Sequence, residues 1–365
     1  MPFSLPVLMY HSISRHRHRL CVPPELFEEH CRALAGDGWR GVSLSEAEGY
    51  FLAGQSLPPK SCLFTFDDGY LDNYVYAEPL LRRYGHHGII FPVVGLIGQG
   101  TPRPTLEDME ADPCAGKKLP ALDERPNMGR NGKTVRGVAL CNWAELARMR
   151  EAGNMDCAPH SMTHGRVVRE LAFARLHRPG GVDSFFDVPP YDMPWGFPCF
   201  RLGHALAVRG YMPSAELFAL VRRLVPQQAG QAANFLKEKN NRDAVVRAIS
   251  ALPALGVRES EDACRQRLAG EFAECRSVFR ERLGVESVSF CWPWGNYGPM
   301  ALQEARKAGF RLFFTTSRGM NTRGRKNAVR RIPVRGGTGK ELLSLVRFAS
   351  RAFFEEVYSW AYNIF

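Results

Sequence analysis

Two adjacent acids, Asp67 and Asp68, end an apolar run in LFTFDDGYLDNY, residues 63–74, and are followed directly by Gly69. Further on, APHSMTHG sets His160 and His164 four residues apart. Each group alone has a plain reading. Asp67 can cap the next helix, Asp68 can be a turn residue and Gly69 can supply a positive φ, while the two histidines can be exposed or satisfied in a core. Together, at the same end of a parallel sheet, one carboxylate and two imidazoles make a mixed nitrogen and oxygen site for a divalent cation with open coordination positions. The second acid then has a use as well. One aspartate ligates the metal while its neighbour, unable to point the same way, acts as general base on a water activated there.

The elements that must position these residues follow an α/β rhythm, short apolar runs alternating with helical patterns. Strands are expected at LPVLMYH (5–11), SCLFTFD (61–67), GIIFPVVG (88–95), MDCAPHS (155–161), SVSFCWPWG (287–295), RLFFTT and RRIPV. Helices are expected at PELFEEHCRALAGDG, at YVYAEPLLRRYG with an interruption at Pro79, at NWAELARMREAG (142–153), and at PMALQEARKAGF, which starts on Pro299 and stops at Gly309. Two stretches break the rhythm: residues 99–139, dense in Pro, Gly and charge, and residues 177–257, with Pro-rich loops and helical pieces. Long excursions at strand ends are lids or substrate-binding walls. RGGTGK (335–340) is no phosphate loop, because Lys340 precedes Glu341 and the earlier glycine is one register off.

Composition bounds the rest. The 365 residues, 45% hydrophobic and 11% aromatic, are enough to bury a sizeable core and exclude a disordered chain. A net charge of +11 favours anionic partners such as phosphates, acidic glycans, lipid headgroups or nucleic acid, with RHRHR (15–19) and RGRKNAVRR (323–331) as the dense clusters. The ten cysteines show no CxxC pair. No basic leader, long apolar core or small-residue cleavage site marks the N-terminus, so a cytoplasmic location is expected, with disulfides absent.

TFDDG, then HSMTH, then WPWGNY resemble the polysaccharide deacetylase (NodB homology, carbohydrate esterase family 4) superfamily, over about residues 5–335 without the two insertions. The resemblance implies a distorted (β/α)7-type barrel and metal-dependent hydrolysis of an N-acetyl group from an amino sugar, in a polysaccharide or a lipid-linked glycan precursor. It implies a glycan partner rather than nucleic acid. It makes Asp67 the base and Asp68, His160 and His164 the ligands of a divalent metal, with Zn2+ expected and Co2+, Mn2+ or Ni2+ as alternatives. The resemblance also implies that the N–H of Tyr70 joins the oxyanion site. A deformylase or other amidohydrolase on a lipid-linked amino sugar at the inner membrane face, and a non-catalytic glycan-binding relative, are the alternatives.

The chain departs from many members of that superfamily in two places. Trp292, Pro293, Trp294 and Gly295 stand where an Arg-x-Pro-Tyr motif is common, similar to the variant of the poly-N-acetylglucosamine deacetylase branch. Arg331, in RRIPV, is the expected substitute for the missing arginine, against a plain surface role. A late LxxH histidine is missing too, and His11, in LMYH, resembles the permuted arrangement of the same branch. His11 closes the first strand at the barrel mouth and no histidine follows His204, so it is the expected general acid, against a merely structural end to that strand. Trp292, Trp294, Tyr297 and the loop around Trp195 can stack on sugar faces; for Trp292 core packing is the competing reading. Residues 1–340 are expected to form the catalytic domain. Residues 341–365 are expected to form an amphipathic helix, with Leu342, Val346, Ala349, Phe353, Val357, Trp360 and Ile364 on one face. It either docks on the barrel or makes a peripheral membrane contact.

Overall fold

In the computed structural model the residues described are 3–120, 122, 126–128, 134–136, 139–179 and 191–351. In chain order the strands are β1 (Val7–Tyr10), β2 (Arg40–Gly41), β3 (Ser61–Asp68), β4 (Gly88–Pro92), β5 (Pro126–Met128), β6 (Thr134–Arg136), β7 (Met155–Cys157), β8 (Arg166–Leu176), β9 (Pro198–His204), β10 (Tyr211–Pro213), β11 (Gly256–Arg258), β12 (Ser289–Cys291), β13 (Leu312–Phe314) and β14 (Ile332–Pro333). All seven runs read as strands carry one. A parallel ladder runs in the order β14, β1, β3, β4, β7, with β2 against the start of β3.

The ladder closes through β12 and β13, which pair in parallel. On one side the Cys291 N–H donates to Pro159 O just past β7 (3.0 Å), and on the other the Thr315 N–H donates to Val329 O just before β14 (3.0 Å). The result is a seven-stranded distorted barrel. Every residue of β3 is buried, as expected for a strand covered on both faces. Its apolar residues pack with β1 and the flanking helices, for instance Tyr10 stacked on Phe66 at 5.5 Å.

The surrounding helices obey local rules. Pro24–Gly36 starts on a proline. The segment around Pro79 resolves into one wide π-type turn, Asn73–Ala77, and a helix, Glu78–Arg83, with Pro79 in its first turn, where no N–H is needed. Trp143–Glu151 opens with a capping box between Asn142 and Glu145. Helices Leu44–Ala53 and Glu261–Leu283 were not anticipated. The second is 23 residues long, capped by Ser260 and ended by left-handed Gly284; its Leu268, Phe272, Cys275 and Phe279 join the barrel core.

Strands β8 to β11 form a separate antiparallel sheet, in the order β11, β10, β8, β9. With the helices Ala215–Leu224, Ala229–Lys237 and Lys239–Ser250 it encloses its own core around Phe197, Leu217, Val221, Leu236 and Ile249. RGGTGK turns out to be a helix start: the Thr338 hydroxyl accepts from the Glu341 N–H and the Glu341 carboxylate accepts from the Thr338 N–H. The helix Gly339–Ala349 buries Leu342, Val346 and Ala349, and its Gly339 N–H donates to Glu29 on helix Pro24–Gly36. Phe353, Val357, Trp360 and Ile364 of the expected apolar face lie outside the described residues. Among the described residues no helix is long and apolar enough to cross a membrane. All ten cysteines are free thiols.

Candidate active site

Strand β3 delivers both acids to the C-terminal mouth of the barrel, Asp67 opposite Phe91 and Asp68 opposite Pro92 of β4. The chain then bends sharply, with Asp68 at φ 73° and Gly69 at φ 81°. A Cβ at Gly69 would sit 3.0 Å from the Pro92 backbone, so glycine is required there by both space and conformation. This bend points the two carboxylates in different directions.

Asp67 faces Arg331. The guanidinium of this fully buried arginine donates in bidentate fashion, Nη1 to Oδ1 at 2.6 Å and Nη2 to Oδ2 at 2.8 Å. Its Nε donates to Thr315 O (2.7 Å), which fixes the plane of the fork. Burial alone would push the Asp67 carboxyl up, but the Arg331 guanidinium beside it holds it well below the usual carboxylate range. Extending the β1–β3 register one residue past Tyr10↔Phe66 sets His11 beside Asp67. The His11 Nε2 stands 3.9 Å from Asp67 Oδ2, with its side chain 15% exposed. Burial lowers the His11 pKa, and Asp67 and Asp68 oppose this only in part.

Asp68 faces the histidines. Its Oδ1 lies 3.5 Å from His160 Nε2 and 3.4 Å from His164 Nε2, and all three residues are buried. The His160 Nδ1 bonds to Cys291 O at 2.8 Å, which makes Nδ1 the donor and turns Nε2, the atom a cation would take, toward Asp68. Oδ1 of Asp68 is buried with no hydrogen-bond partner of its own. An orphaned carboxylate oxygen facing two imidazole nitrogens fits a cation between them. A second trio, Asp67, His160 and Cys291, also has ligand atoms within 4.8 Å of one another. It fits a cation poorly, because Arg331 already takes both oxygens of Asp67 and burial raises the Cys291 pKa, which keeps the sulfur a thiol.

The HSMTH loop is built against preference. Ser161 and His164 have positive φ, 70° and 50°. Three contacts hold them: His164 N–H to Ser161 Oγ (2.9 Å), Val94 N–H to Ser161 O (2.9 Å), and Gly95 N–H to Met162 O (2.9 Å). A fourth comes from Glu271, whose Oε1 accepts from the N–H groups of Met162 (2.9 Å) and Thr163 (3.1 Å), between the two histidines. Sequence reasoning missed Glu271. Its one signal is an acid wedged into the Leu268, Phe272, Cys275 stripe of its helix. Asp72 was missed as well. It accepts from Ser12 Oγ (2.5 Å) and the Ile13 N–H (2.9 Å), while Asn73 Nδ2 donates to His11 O (2.8 Å), so these two residues anchor the loop that carries His11. Burial pushes the Asp72 pKa up to about 7.

Of the aromatic residues, Trp294 lies against the candidate site. Its ring lies 3.9 Å from that of His164 and 4.6 Å from that of His204, with the Arg166 guanidinium 3.9 Å over it. The turn that presents it, Trp294 at φ 52° and Gly295 at φ 70°, is closed by Thr316 Oγ1 donating to Trp294 O (2.9 Å). Trp292 is a correction. It is fully buried, stacked between Tyr297 (4.7 Å) and Phe313 (5.3 Å), and so cannot meet a sugar. Pro293 is buried too, and Tyr297 leans on that core. Trp195 stacks on His177 at 4.6 Å within the insertion. Tyr70 is buried just past the bend, its carbonyl accepting from the Cys141 thiol at 3.3 Å. His86 bonds Cys31 O (3.0 Å) and the Gly41 N–H (3.1 Å), a structural role.

The sequence profile of the polysaccharide deacetylase family matches residues 54–172, which include both aspartates and both histidines. The protein YxkH of Bacillus subtilis (strain 168), named as a polysaccharide deacetylase, is 43% identical over 98 residues, 27% of this chain. That match spans about a third of its length, 34%. A de-N-acetylase from Aggregatibacter actinomycetemcomitans has a similar fold (TM-score 0.59, 17% identity, 94% of this chain and 99% of that one). IcaB from Ammonifex degensii is similar at TM-score 0.53 and 18% identity, over 96% of this chain and 98% of that one. The deacetylase domain of BpsB from Bordetella bronchiseptica is similar at 0.54 and 19%, over 91% and 96%. Residues 54–172, with the acid pair at the end of β3 and the histidine pair after β7, are thus similar to the polysaccharide deacetylase family, and the chain shares the barrel fold of these solved deacetylases.

Proposed function

We propose that the protein hydrolyses the N-acetyl group of an amino sugar in a glycan, releasing acetate and a free amine. The observation that carries this reading is the split between the two acids, Asp67 locked to Arg331 and Asp68 turned to His160 and His164. Asp68, His160 and His164 would hold a divalent cation, and zinc suits their oxygen and nitrogen donors. When bound, the cation polarises an acyl carbonyl and acidifies water.

The residues of the chain do the rest. Asp67 takes the proton of the attacking water, and Arg331 holds its carboxylate in one orientation. The Tyr70 N–H is the proposed donor to the developing oxyanion. An amide nitrogen leaves only once protonated, and His11, next to Asp67, is the group placed to supply that proton. Trp294 forms a wall against which a sugar face can rest. The test is product analysis. The protein, reconstituted with zinc, is offered N-acetylated and N-formylated amino-sugar oligomers, and acetate and formate are measured. Acetate release supports the proposal, formate release alone indicates a deformylase, and cation binding without hydrolysis of either indicates a glycan-binding protein.

A further inference from the structure

The rings of the two candidate ligand histidines are held in different ways. His160 is turned by its bond to the Cys291 carbonyl (2.8 Å). His164 sits at φ 50°, and Ser161 Oγ accepts from its backbone N–H. Its imidazole meets the indole of Trp294, ring centre to ring centre at 3.9 Å and at an angle of 53°. Trp294 is itself left-handed, at φ 52°, and its carbonyl accepts from Thr316 Oγ1 (2.9 Å) and Asn296 Nδ2 (3.0 Å). A Cβ on Gly295 would collide with the Thr316 backbone, so the turn closes only over glycine. An uncommon backbone conformation therefore lies on each side of the contact.

Two more side chains reach the same indole from the antiparallel sheet. Arg166 and His204 face each other across β8 and β9. The guanidinium carbon of Arg166 lies 3.9 Å from the indole ring centre, and the His204 ring 4.6 Å from it. A guanidinium has no lone pair, so Arg166 Nη1 donates and His204 Nδ1 accepts, at 3.0 Å. Two backbone bonds tie this end of the sheet down. The Ala205 N–H donates to Gly165 O (3.1 Å), and the Gly298 N–H, from the segment just past Trp294, donates to Leu206 O (2.9 Å). A cation over its electron-rich face holds an indole in place, and a ligand imidazole needs a fixed orientation to keep its lone pair on a metal. We propose that Arg166, His204 and Trp294 are positioning residues for the cation site: the cross-strand pair fixes the indole, and the indole fixes the His164 ring with Nε2 toward Asp68. This rests on Asp68, His160 and His164 as that site. It gives the insertion, which carries His204, a part in cation binding.

Metal binding by the full chain tests this. The readouts are zinc affinity, by competition with a chromophoric chelator, and the d–d absorption of the Co2+-loaded protein, which reports ligand geometry. Trp294→Ala is expected to lose about 10- to 100-fold in zinc affinity and to shift the cobalt bands, while Trp294→Phe, which keeps a ring, recovers most of both. Arg166→Gln and His204→Ala are expected to shift the same bands when Trp294 is present and to add little to Trp294→Ala, because they act through the indole. Both side chains are partly exposed, so they report on the cluster even where Trp294→Ala melts without cooperativity. Unchanged affinity and bands in Trp294→Ala would overturn the proposal, as would losses from Arg166→Gln and Trp294→Ala that simply add. Metal loss in these variants with no acetate released by the unsubstituted protein leaves the cluster standing and removes the reaction.

Discussion

A carboxylate taken out of water needs a partner, and Asp67 has a fully buried one in Arg331. The pair makes the basicity of Asp67 a property of both residues. Arg331 holds the Asp67 pKa low, so weakening the fork raises it, and the base is then protonated at higher pH. Arg331→Lys, which keeps the charge but loses the bidentate geometry, is expected to move the acid limb of the kcat/KM profile upward in pH; an unmoved limb would mean that Asp67 is not the titrating base. His11→Ala is expected to keep its metal and fold. It should lose about a hundredfold or more on an N-acetyl sugar, and much less on an activated ester whose leaving group needs no proton. Equal losses would point to a structural role. At this scale much of the site was legible in the sequence, because a carboxylate pair at a strand end and a histidine pair announce their chemistry by type. Arg331 was legible as a cation on a late strand. For Trp292 the sequence left sugar stacking and core packing both open, since residue type does not tell which face of a strand end turns inward; here Phe272, Phe290 and Phe313 enclose the indole.

The elements explain why the candidate ligands, from distant segments, meet. Parallel strands all point their C-terminal ends the same way, so β1, β3 and the segment after β7 converge on one mouth. The apolar runs and the Pro and Gly boundaries made those strands readable. The ligand loop is another matter, since two positive φ values at Ser161 and His164 depend on Glu271, more than a hundred residues further along the chain. Without that carboxylate the Met162 and Thr163 N–H groups lose their acceptor and the loop its constraint. Glu271→Ala is expected to weaken metal binding by about 10- to 100-fold, read by competition against a chromophoric chelator, with the melting transition still cooperative. Unchanged metal affinity would show that the loop holds its shape alone. No pattern in the sequence links a helix acid to a loop so far away, which is why this contact was missed.

At the scale of the molecule, the barrel and its insertion have separate cores, and the barrel core carries the site. The seven strands were foreseeable from periodicity, but the antiparallel sheet of β8 to β11 was not, because its strands are polar on one side and interrupted by register shifts. The net charge of +11 was readable, though not its arrangement, since arginines such as Arg40, Arg82, Arg267 and Arg347 meet acids that the sequence does not pair with them. The account as a whole turns on the division of labour between the two acids. Its most direct test is metal content and acetate release measured on the same preparations of Asp67→Asn and Asp68→Ala. Asp67→Asn is expected to retain stoichiometric metal with turnover reduced by about a hundredfold or more, and Asp68→Ala to purify without metal. Metal lost from Asp67→Asn and kept by Asp68→Ala would contradict the assignment of both residues.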